Sequence, residues 1–198
     1  MALSIQESNP EKHAHLISQR FGIFSDGPAI GTTNLINCMG IIIHNNMGEM
    51  GILAHIEART DENTYLKSIQ TSLQIMVETL KSKGKVGTVS VVLMGNMSNR
   101  SREAESLHNQ ELEKIIYRSF SLCQLNKFNL YDMRGGIGGI GAGKKISGNF
   151  STCLYEPKEN KLWVWVGGIK DIKTSASSSS SSSSLASSAG PVTEFKIQ

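Results

Sequence analysis

A chain of 198 residues, 39% apolar and 19% charged, is long enough for one substantial core and too short for two ordinary domains. Twenty Lys and Arg against 17 Asp and Glu leave a formal charge of +3 spread along the chain, without the basic stripe that tracks nucleic acid. The longest apolar runs, such as Val91-Val92-Leu93-Met94, fall far short of the roughly 20 residues that cross a bilayer, so neither nucleic-acid binding nor membrane insertion is expected.

In chain order, residues 1–7 lack the basic and apolar regions of a secretory signal, and a cytoplasmic location is expected. His13-x-His15 sits in a polar leader without further ligands, which argues against a metal site. Residues 21–24 read as a weak strand before the turn Ser25-Asp26-Gly27-Pro28, and two stronger strands flank Asn45-Asn46-Met47-Gly48. From 61 to 83, Leu66, Ile69, Leu73, Met76, Val77 and Leu80 recur at steps of three and four, with Thr60 or Asp61 as N-cap and Gly84 beyond the end. That spacing predicts a helix. Residues 86–94 read as a strand, and 102–120, capped near Ser101, as a second helix carrying Leu112, Ile115 and Ile116. Strands at 127–133, 150–155 and 161–166 follow, the last two joined by the turn Glu156-Pro157-Lys158-Glu159-Asn160.

Paired strands with helices between them predict an α+β fold, a layered sandwich of antiparallel or mixed strands with two main helices packed on the sheets. The domain is expected to span 1–173, with a serine-rich flexible linker over 174–190 and a tail at 191–198 that either docks as a short strand or is disordered. Removing everything after 173 is expected to leave the fold intact.

The three cysteines, Cys38, Cys123 and Cys153, are odd in number and lack CxxC spacing, which argues against a disulfide framework and a zinc site. In the hairpin, a two-residue loop (46–47) or a four-residue loop (45–48) makes partner numbers sum to 93, which sets Cys38 opposite His55 and His44 opposite Glu49. A thiol facing an imidazole is the minimum apparatus of a cysteine nucleophile. His44 lies six residues from Cys38, about 20 Å along a strand, and reads as half of a charge pair. Met50, Ile52, Ala54 and Ile56 form the apolar face of the second strand, so His55 falls on the other face with Leu53 and Glu57 and need not be a core histidine. Taken alone, such a pair is more often packing than catalysis.

The segment Thr32-Thr33-Asn34-Leu35-Ile36-Asn37-Cys38-Met39-Gly40, followed by Gly51-Ile52-Leu53-Ala54-His55, resembles the chemoreceptor glutamine deamidases (the CheD family). Their site has a Thr six residues before the Cys and, after a hairpin, a Gly-x-x-Ala-His strand, and the looser likeness runs over residues 20–170. The resemblance implies a protein-glutamine deamidase with Cys38 as nucleophile, His55 as general acid and base, Thr32 orienting the imidazole, and no metal or organic cofactor. It implies a thiolate–imidazolium pair at rest and a protein partner bearing target glutamines. The family has glycines before the Cys and Leu-Pro after the His, where this chain has Asn34-Leu35-Ile36-Asn37 and Glu57-Ala58-Arg59. Related Cys-His deamidases occur among bacterial toxins, so a chemoreceptor-like target and a host protein, with delivery to a host cytosol, are both open. A non-enzymatic binding module on the same scaffold and a transglutaminase are the alternatives.

Gly138 to Lys144 fits G-x-x-x-x-G-K, but Lys145 stands where a Mg²⁺-binding Ser or Thr is needed and no amphipathic helix follows. The stretch reads as a glycine-rich surface loop, free to border the site as a lid.

Overall fold

In chain order the elements are β1 (Ser4–Glu7), β2 (Ala14–Ile17), β3 (Phe21–Ser25), β4 (Ala29–Thr32), β5 (Met39–Asn45), β6 (Met50–Ile56), α1 (Glu62–Lys83), β7 (Val89–Gly95), α2 (Arg102–Leu122), β8 (Phe128–Arg134), β9 (Lys144–Lys145), β10 (Thr152–Glu156), β11 (Lys161–Trp165) and β12 (Thr193–Lys196). The computed structural model describes residues 3–9, 14–58, 61–95, 101–135, 139–140, 143–146, 148, 150–166 and 192–197. Thr60, His13, the serine-rich stretch and residues 136–138 and 141–142 of the glycine-rich stretch lie outside the described residues, as does the side chain of His15.

Both helices are capped as their sequences demand. The Asp61 carboxylate accepts from the Thr64 amide at 2.8 Å and the Ser101 hydroxyl from the Ala104 amide at 3.2 Å, each satisfying a donor that the first turn leaves open. Glu62 in the first turn of α1 and Lys81 and Lys83 in its last complement the helix dipole.

The strands form two mixed sheets, one ordered β1-β3-β6-β5-β7-β8-β9 and the other β12-β11-β10-β4-β2. On the larger sheet, Ile41, Ile43, Ile52, Ala54, Val91 and Leu93 share a core with the helix residues Ile69, Leu73, Met76 and Ile116. Their sequence neighbours Ile42, Leu53, Val92 and Met94 point the other way, against Ile30, Cys153, Tyr155, Leu162 and Val164 of the smaller sheet. The result is three layers, helices over sheet over sheet, an α+β sandwich as the alternation of helices and strand pairs predicts.

The β5–β6 register differs from expectation by two residues. Asn45 pairs with Met50 and Gly40 with His55, so partner numbers sum to 95 and the loop is residues 46–49. Asn45 stays in the strand because its side chain reaches the segment before β7, donating to Lys85 O at 3.0 Å and accepting from Gly87 N at 3.3 Å. Glu49 closes the loop in the left-handed region, at φ 48°. His44 therefore faces Gly51, and the expected pair with Glu49 does not form. Its Nδ1 meets the Tyr155 hydroxyl at 2.5 Å between the sheets, with Tyr155 seated on Gly51, where a Cβ would overlap that hydroxyl.

The tail is a strand. β12 pairs antiparallel with β11, Leu162 opposite Phe195, and Ile197 is buried in the inter-sheet core. Deleting residues 192–198 should thus lower the melting temperature, in contrast to the sequence expectation. Ile197→Ala alone should cost about 2 kcal/mol or more, a drop of at least about 4 °C for a domain of this size. Thermal denaturation followed by circular dichroism checks this, and an unchanged midpoint would mean that the strand contributes nothing.

Candidate active site

Thr32 ends β4 in the smaller sheet, paired with Ile17 of β2 and Cys153 of β10. His55 lies near the end of β6 in the larger sheet. Their side chains meet across the gap: Thr32 Oγ1 is 3.0 Å from the Ile17 carbonyl oxygen and 2.7 Å from His55 Nδ1. A hydroxyl has one proton, and a carbonyl can only accept. The Thr32 proton therefore goes to Ile17, the Thr32 oxygen accepts from Nδ1–H, and the neutral imidazole carries its lone pair on Nε2. That Nε2 is buried without a hydrogen-bond partner among the described residues. His55 lines a cavity of about 730 Å³ together with Ile17, Gln19, Arg20, Asn34 and Glu57.

Cys38 reaches the same region by a different route. After β4 the chain turns through Asn34 in the left-handed region, at φ 66°. The Leu35 amide then donates to Ser151 O at 3.0 Å, and the Leu35 side chain is fully buried over Gly40, where a Cβ would come within 2.9 Å of it. Gly95, at φ 128°, lets the Cys38 carbonyl sit where a Cβ would otherwise collide with it. These contacts hold Cys38 one residue before β5 begins.

Continuing the observed register sets Cys38 opposite Glu57, not opposite His55. The two-residue shift keeps parity, so Cys38 and His55 still share a face of the sheet, as diagonal neighbours with a typical separation of about 7–8 Å. No hydrogen bond joins the Cys38 sulfur to the imidazole; its partner is Gln19, whose Nε2 lies 3.5 Å from Sγ. Thr32 and His55 are thus brought into contact, and Cys38 is set beside them. His55 is only 1% exposed, a core histidine after all, because the smaller sheet covers the face on which strand alternation placed it.

The sequence reading missed Gln19 and Arg20, in the turn between β2 and β3. Arg20 is left-handed at φ 71°; its amide donates to the His55 carbonyl at 2.8 Å and its guanidinium grips Glu57 at 2.6 Å. Nothing local in the sequence ties this turn to residues 38 and 57; only Glu57, on the His55 face by alternation, was within reach of inspection.

Burial pushes the His55 pKa down from 6.5 to about 4, with Glu57 opposing it. At neutral pH the resting imidazole is neutral, so an imidazolium paired with a thiolate is not the resting state. His44 is likewise pushed down to about 4 by burial. All three cysteines are free. Burial pushes the Cys153 thiol up to about 12, and burial followed by hydrogen bonding to Glu78 raises Cys123. Among the described residues no three His, Cys, Asp or Glu side chains gather as a metal set would. The described part of the glycine-rich segment packs at the far edge of the larger sheet: Ile140 N donates to Asp132 Oδ2 at 3.2 Å, Lys144 and Lys145 pair with Tyr131 and Asp132, and none of these residues lines the cavity.

Three measurements check this site. Because His44 and His55 bind protons more weakly folded than unfolded, stability should be full above about pH 6.5 and be lost progressively as pH falls towards about 4. Imidazole NMR should show neither ring titrating near 6.5 and His55 protonated at Nδ1; an Nε2–H tautomer would break the Thr32 argument. Iodoacetamide should label Cys38 ahead of the raised Cys123 and Cys153, and equal labelling of all three would contradict it. Against protein-family models and against curated proteins, the chain has no match.

Proposed function

We propose that the chain hydrolyses the side-chain amide of glutamine in a protein substrate, with Cys38 as nucleophile and His55 as the proton carrier. The observation that supports it most is an imidazole oriented by Thr32 and Ile17, its Nε2 buried without a partner among the described residues, on a ring that lines a cavity whose lining residue Gln19 touches Cys38. The resemblance of the Thr32, Cys38 and His55 spacing to the chemoreceptor deamidases supports the same reading. Catalytic hydrogen bonds often tighten only when substrate binds, and Cys38 and His55 have to come together in that step.

The chemistry follows from the tautomer. A neutral His55 Nε2 takes the Cys38 proton as sulfur attacks the carboxamide carbon, and Thr32 accepts from Nδ1–H as the ring becomes charged. The imidazolium then gives its proton to the leaving nitrogen, ammonia departs, and a glutamyl thioester remains. The neutral ring next draws a proton from water, which attacks the thioester and releases glutamate and the thiol. The target is a protein, chemoreceptor-like or from a host. The location that goes with it is a reducing cytosol, the protein's own or a host's, which suits three free thiols; among the described residues no helix is long and apolar enough to cross a membrane.

Incubation with glutamine-bearing candidate proteins, with and without a primary amine, should give a gain of about 1 Da per target glutamine by mass balance. Amine incorporation would identify a transglutaminase, and no change with any candidate a binding module. Cys38→Ala and His55→Ala should abolish the conversion and remain folded. Thr32→Val should lower kcat about a hundredfold. The acid limb of kcat/KM should fall near pH 4 rather than near 6.5, since His55 must be neutral to act. His44→Ala should instead reduce stability, because it strips the buried Tyr155 hydroxyl of its partner.

A further inference from the structure

Gln19 has a contact that its place on the surface does not require. It is an exposed turn residue, yet its amide Nε2 is 3.5 Å from Cys38 Sγ, and it lines the cavity onto which His55 opens. The turn is held in place by two contacts of Arg20. Arg20 adopts a left-handed φ of 71°, a conformation that costs a non-glycine residue of order 1 kcal/mol or more. Its amide donates to the carbonyl of His55 itself, and its guanidinium is bonded to Glu57, the residue opposite Cys38 in register. Backbone strain thus goes into fixing Gln19 relative to both reacting side chains.

We infer that Gln19 is a catalytic residue whose side-chain N–H stabilises the oxyanion formed when Cys38 adds to a carbonyl. The inference rests on the proposed function. When sulfur bonds to the carboxamide carbon, the oxygen that gains the charge is attached to that same carbon, two bonds from Sγ. A donor already within van der Waals reach of Sγ from the cavity side therefore needs little movement to reach the oxygen at about 2.7–3.1 Å. In the free protein the thiol occupies the donor weakly; in the tetrahedral state it has a charged acceptor, and a hydrogen bond to a charged group is the stronger kind. The interaction is thus greater in the transition state than in the ground state, which is the condition for it to accelerate the reaction.

The test separates carbonyl addition from simple thiol reactivity. Butanal copies the glutamine side chain from Cα to Cδ, with hydrogen in place of NH₂. Its addition to Cys38 forms one S–C bond, converts the C=O into an alkoxide, and returns to that oxygen, through His55, the proton the thiol gave up. Iodoacetamide alkylates the same sulfur by displacing iodide, with no oxyanion. The rate at which butanal protection of Cys38 sets in, governed by the state in which that oxygen is still charged, is read in the full chain from iodoacetamide labelling after timed exposure, by mass spectrometry. Gln19→Ala, and Gln19→Met, which keeps the length and removes the donor without adding charge, should slow protection about tenfold or more. Both should leave labelling without aldehyde within about twofold of the parent. Undiminished protection in both variants overturns the role of Gln19 and leaves the deamidase reading standing. A parallel fall in plain alkylation also overturns it, by showing that Gln19 acts on the sulfur. If the parent Cys38 is labelled but butanal never protects it, Cys38 does not add to carbonyls and both readings fall.

Discussion

The central strands β5, β6 and β7 have no solvent face, and most of the architecture follows from that. Every residue from Met39 to Asn45 and from Met50 to Ile56 is buried, so both sides of this ribbon must be covered. Ile41 and Ile43 require the helices, and Ile42, between them, requires the second sheet. Burying each such side chain contributes about 1.5–3 kcal/mol relative to leaving it in water. A one-residue slip in pairing would exchange the two sets of side chains. The two-residue offset from the expected register does not, which is why Cys38 and His55 remain on one face although they are not direct partners.

His44 and His55 both point into the inter-sheet layer, and burial lowers both to about 4. Their environments nevertheless assign them different work. His44 is locked to the Tyr155 hydroxyl above Gly51 and ties one sheet to the other. His55 uses one nitrogen for the same purpose, against Thr32, and its other nitrogen is buried without a partner among the described residues, on a ring that lines the cavity. A buried polar atom left without a hydrogen bond costs about 1–3 kcal/mol. His55 Nε2 carries that cost, as do other buried atoms such as Trp165 Nε1, so it supports the proposed site only together with the Thr32 contact and the cavity.

The opposite edge of the larger sheet meets the problem of buried charge by full pairing. Asp132 and Arg134, both almost wholly buried, form two hydrogen bonds at 2.9 Å, and Arg134 adds Asn109 Oδ1 at 2.8 Å. Burial alone would raise the Asp132 carboxyl, yet Arg134 and Lys145 together hold it below the ordinary range. Lys145 also donates to the Arg134 carbonyl at 2.6 Å. The glycine-rich stretch that resembles a phosphate loop in sequence thus contributes Lys145, at the position of that motif's Ser or Thr, to a structural ion cluster.

The sequence by itself determined the two helices, their caps, the strands of the larger sheet's centre, the layered class, and the face on which His55 stands, because each depends on local periodicity or a single capping side chain. It did not reveal β1, β2 or β4, each four residues long and without a distinctive pattern. Tertiary structure alone decided how far Cys38 stands from His55, since the loop length was settled by Asn45 reaching across to Lys85 and Gly87, at sequence separations of 40 and 42. It also decided the burial of His55 and the orientation of its tautomer. Both come from a second sheet, assembled from the two ends of the chain, whose Thr32 hydroxyl and Ile17 carbonyl no spacing in the sequence can bring together.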